Sequence, residues 1–427
     1  MRPRIEHWLK DRLLIRVAML SIPLLFGCAN VTVQPLTTPG SGYRESPEEI
    51  KLLARASNAH QELVSKGFLL RDESAVAFVQ RVGESVVTDE VSTRVPITFH
   101  ILRSANKNAL ASPSGNIYVT VGLLVSLESE GQLAYVLAHE VAHIARRHMF
   151  STYLTEKEGW KGAIIGDIFL LGTKLSYFPY IASLAAYSRE RELEADDDAL
   201  IFLESSGYPL GDAASALNHL KEPESKSGEI GWLSTHPALK ERTDRILIKT
   251  QSSPSTSKAS TEDPRYLSFR TGLLWEAIRL NLYARRYDEA TRLAQRATEE
   301  TNDKSRAYYF LGESKRLAAM EFSGAENKFI RRNETESNKS SKEKQTQNQL
   351  NTLTEAINAY EIAKKLDPNT HEADKGLGIS YALLCQHEKS IELLTAFISK
   401  NPTDRDNQYI KRIISEGKTK CSGKKQF

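Results

Sequence analysis

The chain has 427 residues, of which 40% are hydrophobic and 26% charged. That is a globular composition too long for one ordinary domain, so two or three are expected. Residues 1–27 hold five basic and two acidic groups and account for the whole formal net charge of +3, so the remainder is neutral and gives no sign of nucleic-acid binding.

The N-terminus has the form of a targeting segment. Arg2, Arg4, Lys10, Arg12 and Arg16 precede an apolar run from Val17 to Gly27, too short to span a bilayer and suited to a signal peptide over residues 1–27. The run ends in Leu25-Phe26-Gly27-Cys28, which resembles a bacterial lipobox. The resemblance implies cleavage before Cys28, a lipid on that cysteine and attachment to the membrane. Ala29 is not the aspartate associated with inner-membrane retention, which favours the periplasmic side of the bacterial outer membrane. A plain secretory signal or an uncleaved anchor is the alternative. Residues 28–45, rich in Thr, Pro, Gly and Ser, then form a lipidated, flexible tether. Cys385 and Cys421 are the other cysteines; an oxidising periplasm permits a disulfide between them, and two separate thiols are equally compatible with the sequence.

Ser46-Pro47-Glu48-Glu49 starts a helix that runs to about Lys66: a cap, a proline in the first turn and a glutamate three after the serine. A second helix is expected from Asp72 to Val87 and a strand from Val95 to Leu102. Residues 108–121 form a strand pair bent at Pro113-Ser114-Gly115-Asn116. Next comes a helix over Gln132–His148, opened by the capping pair Ser129-x-x-Gln132. Leu133, Val136, Leu137, Val141 and Ile144 recur at helical spacing, so this helix should lie in the interior.

That helix carries His139-Glu140-Val141-Ala142-His143, an H-E-x-x-H pattern. Residues four apart share a helix face, so both imidazoles can reach one metal ion. Glu140 adjoins the first ligand and can reach a water on the metal rather than the metal itself, which suits a general base of a zinc hydrolase. An ordinary helix with two hydrogen-bonded histidines is the competing interpretation. Catalytic zinc takes three protein ligands, and Ser188-Arg189-Glu190-Arg191-Glu192-Leu193-Glu194-Ala195-Asp196-Asp197-Asp198 offers a third. Glu192 with Asp196, or Glu194 with Asp198, could supply one carboxylate for the metal and another to orient a histidine. Residues two apart face nearly opposite ways on a helix, so only one pair can serve, and the other would be a solvated face.

With these residues the chain resembles the HtpX/BepA-like membrane-associated zinc metallopeptidases over about residues 45–250. The resemblance rests on His139–His143, on Ser188-Arg189-x-x-Glu192-x-x-Ala195-Asp196, on Asn108-Ala109-x-Ala111-x-Pro113-x-Gly115-x-Ile117-x-Val119-x-x-Gly122-Leu123-Leu124 before the helix, and on Thr235-His236-Pro237 after it. It implies one Zn²⁺ per chain held by His139, His143 and Glu192, with Asp196 orienting a ligand imidazole. It also implies a zincin-like fold, in which an edge strand beside the catalytic helix can pair with substrate main chain. A metzincin is excluded, because Met149 stands where that class has a histidine. His236 has three candidate roles: donor to the oxyanion, occupant of the open zinc position, or a loop histidine without chemistry. The resemblance favours proximity to zinc. His148 and His219 are expected to be structural or surface residues, and Arg189 to pair with a ligand carboxylate or with substrate. Residues 160–187 are apolar but interrupted by Asp167, Lys174, Pro179 and several glycines, which suits helices that cover the site or touch the membrane surface better than a membrane span.

Residues 251–265 form a Ser/Thr-rich linker, and 266–420 are nearly all helical. Pro368 and Pro402 are 34 apart, and Leu377-Gly378-x-x-Tyr381, Ala356 and Ala363 fall where tetratricopeptide repeats carry those types. Tyr287-Asp288-Glu289-Ala290 with Ala297, and Leu311-Gly312, repeat the pattern earlier, while the polar stretch Arg331–Gln349 interrupts the array or extends a helix. A generic helical bundle is the alternative. The expected architecture is an α+β zincin-like metallopeptidase domain over 46–250 followed by an all-α tetratricopeptide-like solenoid. The expected function is a zinc endopeptidase of envelope protein quality control, acting on misfolded or misassembled proteins, with the repeats docking substrate or outer-membrane assembly machinery. The rival is a chaperone or assembly scaffold with a latent zinc site.

Overall fold

The computed structural model describes residues 33–38, 43–155, 187–220, 236–237, 239–251, 263–329 and 336–420. Among them are sixteen α-helices and one three-stranded sheet. The signal segment, Cys28, residues 156–186 and Cys421 lie outside the described residues. Among the described residues, no helix is long and apolar enough to cross a membrane.

The first helix, α1 (Pro47–Ser65), begins at Ser46, whose hydroxyl accepts from the Glu49 N–H at 3.2 Å. It buries Leu52, Ala56, Ala59 and Leu63, one helical face. α2 (Glu73–Ser85) is capped by Asp72, and the short α3 (Asp89–Ser92) follows. Strand β1 (Thr98–Leu102) pairs in parallel with β3 (Asn116–Thr120), and β2 (Ala109–Ala111) runs antiparallel to β3, in the order β1-β3-β2. The β2–β3 turn depends on Gly115. Its φ is +86°, and a Cβ there would sit 2.1 Å from the Pro96 carbonyl oxygen. β2 is an edge of the sheet and packs on the helix that carries His139 and His143.

After α4 (Val121–Ser126) comes that helix, α5 (Glu130–Ala145), in which every residue is buried. Ser129 accepts from Gln132 N–H at 3.1 Å, and Gln132 Oε1 reaches back to the N–H of Glu128 at 2.8 Å. α6 (His148–Thr155) follows, and α7 (Arg189–Ser205) and α8 (Gly211–Leu220) pack on α5. α9 (Leu239–Gln251) closes over α7 and α8.

The rest of the chain is helical: α10 (Pro264–Tyr283), α11 (Tyr287–Glu300), α12 (Lys304–Phe329), α13 (Glu336–Leu366), α14 (His371–Leu383), α15 (His387–Lys400) and α16 (Asn407–Lys420), each packed on its successor. The polar stretch before Gln349 extends α13 over the part described. The turns α10–α11 and α14–α15 share one geometry. Arg285 and Cys385 are left-handed at φ 60° and 58°, and each following N–H bonds to a carbonyl five residues back (Arg286 to Asn281 at 2.8 Å, Gln386 to Tyr381 at 2.9 Å), the Schellman pattern. Cys385 is disulfide-bonded.

Two stretches expected to be free or separable are tied down. Within the tether, Leu36 is 3% exposed in the main core and its N–H donates to the Ala145 carbonyl at 2.8 Å. The physical reason is that Leu36 brings an apolar side chain, and Arg147 a guanidinium that donates to the Gln34 carbonyl, so ordering this segment gains both burial and hydrogen bonds. Beyond the linker, the same core runs from Leu36 to Phe310. The end of α4 and its C-cap supply three carbonyls to the helical region: Leu124 to the Tyr266 hydroxyl (2.8 Å), Val125 to Arg296 (2.8 Å) and Leu127 to Arg270 (3.2 Å).

Candidate metal centre

α5 turns His139 and His143 to one side, and α7 brings Glu192 to them. The two Nε2 atoms stand 3.0 Å apart, and each is 3.5 Å from an oxygen of Glu192. Three donors about 2 Å from a common centre in tetrahedral geometry would be roughly 3.3 Å apart, so the set fits a zinc ion. With His236, ligand-type atoms of all four side chains lie within 4.8 Å of one another, and all are buried. Both carboxylate oxygens of Glu140 and Oε1 of Glu192 are buried with no hydrogen bond among the described residues. Buried carboxylate oxygens left so are costly unless a cation compensates them.

The electrostatics point the same way. Burial and the Arg242 charge push the His139 imidazole down, but Asp196 and Glu192 outweigh them and raise it to about 9. The pocket thus favours a positive charge between His139 and Glu192. His143 is driven well down by burial and by the neighbouring cationic groups, His139 first among them. Burial pushes Glu192 up, yet the His236 and Arg242 charges hold it below the usual carboxylate range.

Around these donors stands a second layer. Asp196 Oδ1 is 3.0 Å from His139 Nδ1 and accepts from the Tyr135 hydroxyl at 2.7 Å. Arg242, from α9, is fully buried; it donates to Glu192 at 2.6 Å and twice to Asp196 at 2.7 Å. Tyr187 stacks on His143 with centroids 3.8 Å apart and planes at 14°, and its hydroxyl is buried with no hydrogen bond among the described residues. His236 Nε2 is 3.4 Å from Glu140 Oε1. A mostly apolar cavity of about 210 Å³ opens beside His143, lined by Leu36, Ala111, Ile144, Phe150 and Tyr187 among others.

Of the two carboxylate frames, Glu192 with Asp196 faces the histidines. The other pair lies on the more exposed side of α7 and is engaged in ion pairs there: exposed Glu194 reaches His148 at 3.2 Å, and half-buried Asp198 holds Arg146 through bonds of 2.6 and 2.7 Å. Arg189 is exposed and pairs with Glu241, not with a ligand carboxylate; Arg242 takes that part. His148 is buried against His143, with Nδ1 atoms 2.9 Å apart, and burial pushes it down to about 3. Arg242, Tyr135 and Tyr187 are absent from the sequence-based site. A signal for Arg242 exists: Leu239, Arg242, Thr243 and Ile246 recur at helical spacing and are all buried, so the arginine sits in the apolar register.

Residues 74–248 match the model of Peptidase family M48. The chain is 28% identical over 202 residues to the mitochondrial metalloendopeptidase OMA1 of Schizosaccharomyces pombe, covering 45% of this chain and 58% of that one. It is 24% identical over 189 residues to the beta-barrel assembly-enhancing protease of Escherichia coli, covering 41% and 38%. A third relative, OMA1 of Arabidopsis thaliana, is 31% identical over 144 residues, covering 32% and 28%. The matches thus span between 28% and 58% of these relatives' own lengths. Paired histidines on the buried α5, the Glu192 carboxylate brought to them by α7, Glu140 beside them and this match together make residues 74–248 a peptidase family M48 domain.

Proposed function

We propose that this chain is a zinc-dependent endopeptidase of the bacterial envelope. His139, His143 and Glu192 hold the ion, and Asp196 orients His139. When bound, zinc polarises the scissile carbonyl and brings the pKa of a water towards about 7. Glu140 takes the proton of the attacking water and passes it to the leaving amine; its two buried, unbonded oxygens are the observation that carries this assignment. His236 caps the centre at rest and donates to the carbonyl oxygen when substrate enters. The cavity beside His143 receives an apolar substrate side chain.

The same proposal extends to the whole chain: a lipid on Cys28 at the periplasmic face of the outer membrane, and tetratricopeptide-like repeats over 266–420 that dock substrate or outer-membrane assembly machinery. Relatives named beta-barrel assembly-enhancing proteases support misassembled envelope proteins as the substrate class. Glu140→Gln tests the catalytic claim. It should keep one zinc per chain and lose more than about 10²-fold in hydrolysis of an unfolded protein substrate, the scale of general-base contributions. Undiminished cleavage would remove Glu140 from the mechanism, and full function in cells without cleavage would favour the scaffold.

A further inference from the structure

His148 lies outside the ligand set, yet its place at the start of α6, just after the helix that carries His143, gives it a specific relation to that set. His143 can give only one ring nitrogen to a metal, and the one turned towards His139 and Glu192 is Nε2. A neutral imidazole that coordinates through Nε2 carries its proton on Nδ1. That Nδ1 stands 2.9 Å from Nδ1 of His148, so His148 must accept there. A neutral His148 accepting at Nδ1 carries its own proton on Nε2, which stands 3.2 Å from Glu194 Oε2. Every bond in the chain His143–His148–Glu194 therefore has one allowed direction once His143 binds metal. The reverse direction would put a proton on Nε2 of His143 and block coordination.

We propose that His148 is a positioning residue for the metal centre: its Nδ1 accepts from His143, and Glu194 fixes the tautomer that makes this acceptance possible. The relay parallels Asp196 beside His139, with an imidazole and a half-exposed carboxylate in place of a buried one. It links the metal centre to the protein surface, since the Glu194 side chain is 53% exposed. The inference rests on His143 being a zinc ligand.

Two substitutions separate an acceptor from a space-filler. In His148→Asn the amide oxygen can occupy the position of Nδ1, whereas His148→Leu fills the volume without an acceptor. Zinc affinity of the full chain is measured by competition against a chromophoric chelator, with far-ultraviolet circular dichroism to check the fold. His148→Leu should weaken zinc binding by roughly 10–100-fold, the usual effect of losing such a partner, and His148→Asn by no more than about threefold. Equal affinity in wild type and His148→Leu, or an equal loss in both variants, overturns the proposal. If His148→Leu does not fold, the wild type still decides: ¹⁵N spectra of the zinc-loaded chain should contain a coupling between the two Nδ1 nuclei across the hydrogen bond, and its absence overturns the proposal. Failure of the wild type itself to bind zinc instead removes the metal-centre assignment beneath it.

Discussion

At the residue scale, the centre is decided by which charges are buried together. Arg242 has no exposed surface and serves two carboxylates at once. Removing one partner of a buried ionic group costs about 3–5 kcal/mol, because the other charge stays behind. Arg242→Met should therefore destabilise the zinc-free chain by roughly that amount in urea denaturation, and added zinc should recover part of it by meeting the same carboxylates. His139 gives a pH dependence. Its folded pKa of about 9 is raised above the ordinary 6.5. The stability it contributes to the zinc-free chain is full below about pH 6.5 and is lost as pH rises through about 9. Zinc must displace that proton, so the apparent zinc dissociation constant should fall about tenfold per pH unit and level off near pH 9; a pH series of competition titrations measures this. The two histidines and Glu140 were legible because a four-residue spacing has one meaning on a helix. Glu192 was legible only through family resemblance, since Glu194 repeats its spacing. Arg242 was not: in Lys240-Glu241-Arg242-Thr243 it looks like any surface arginine until the burial register of α9 is known.

At the element scale, the helices beyond residue 263 meet through missing side chains as much as present ones. Tyr360 of α13 is fully buried and donates to Glu313 at 2.6 Å. Gly312 of α12 and Gly376 of α14 both lie against its ring, and a Cβ on Gly376 would come within 2.3 Å of it. Overpacking of this kind costs about 1–3 kcal/mol, more than the roughly 1 kcal/mol that alanine gains over glycine in a helix. Gly376→Ala should lower stability, whereas Gly272→Ala in α10, where a Cβ meets nothing within 4 Å, should raise it by about 0.5–1 kcal/mol. Thermal unfolding of the two variants reads opposite signs if the packing is as described. Leu311-Gly312 and Leu377-Gly378 stood out in the sequence at repeat positions, and the starts of α1 and α5 were legible from their capping residues Ser46 and Ser129. The shared partner of Gly312 and Gly376 was not legible, because Tyr360 lies 48 residues after Gly312 and 16 before Gly376, and no local rule connects them.

At the scale of the whole molecule, composition and linkers suggest a peptidase unit followed by a detachable helical one, but the packing joins them. The carbonyls of Leu124, Val125 and Leu127, just before α5, are bonded by Tyr266, Arg296 and Arg270, and Leu273, Leu274 and Ile278 share one core with α5. A chain ending at residue 251 would therefore return three large apolar side chains' worth of surface to water. At about 1.5–3 kcal/mol per side chain, the loss is roughly 6 kcal/mol. For a unit of this size that is a fall of roughly 10 °C or more in Tm. A chain ending at 366 keeps α10 to α13 and with them the whole of that interface, so it should hold its Tm within a few degrees and bind zinc as the full chain does. The comparison also decides how partner capture must be tested. Because truncation at 251 disturbs the support of α5, loss of both partner binding and hydrolysis in that variant says nothing about docking; the chain ending at 366 separates the two. Zinc binding and hydrolysis retained at 366 with partner capture lost would assign docking to α14–α16, while equal Tm values for the full chain and the chain ending at 251 would contradict the shared core.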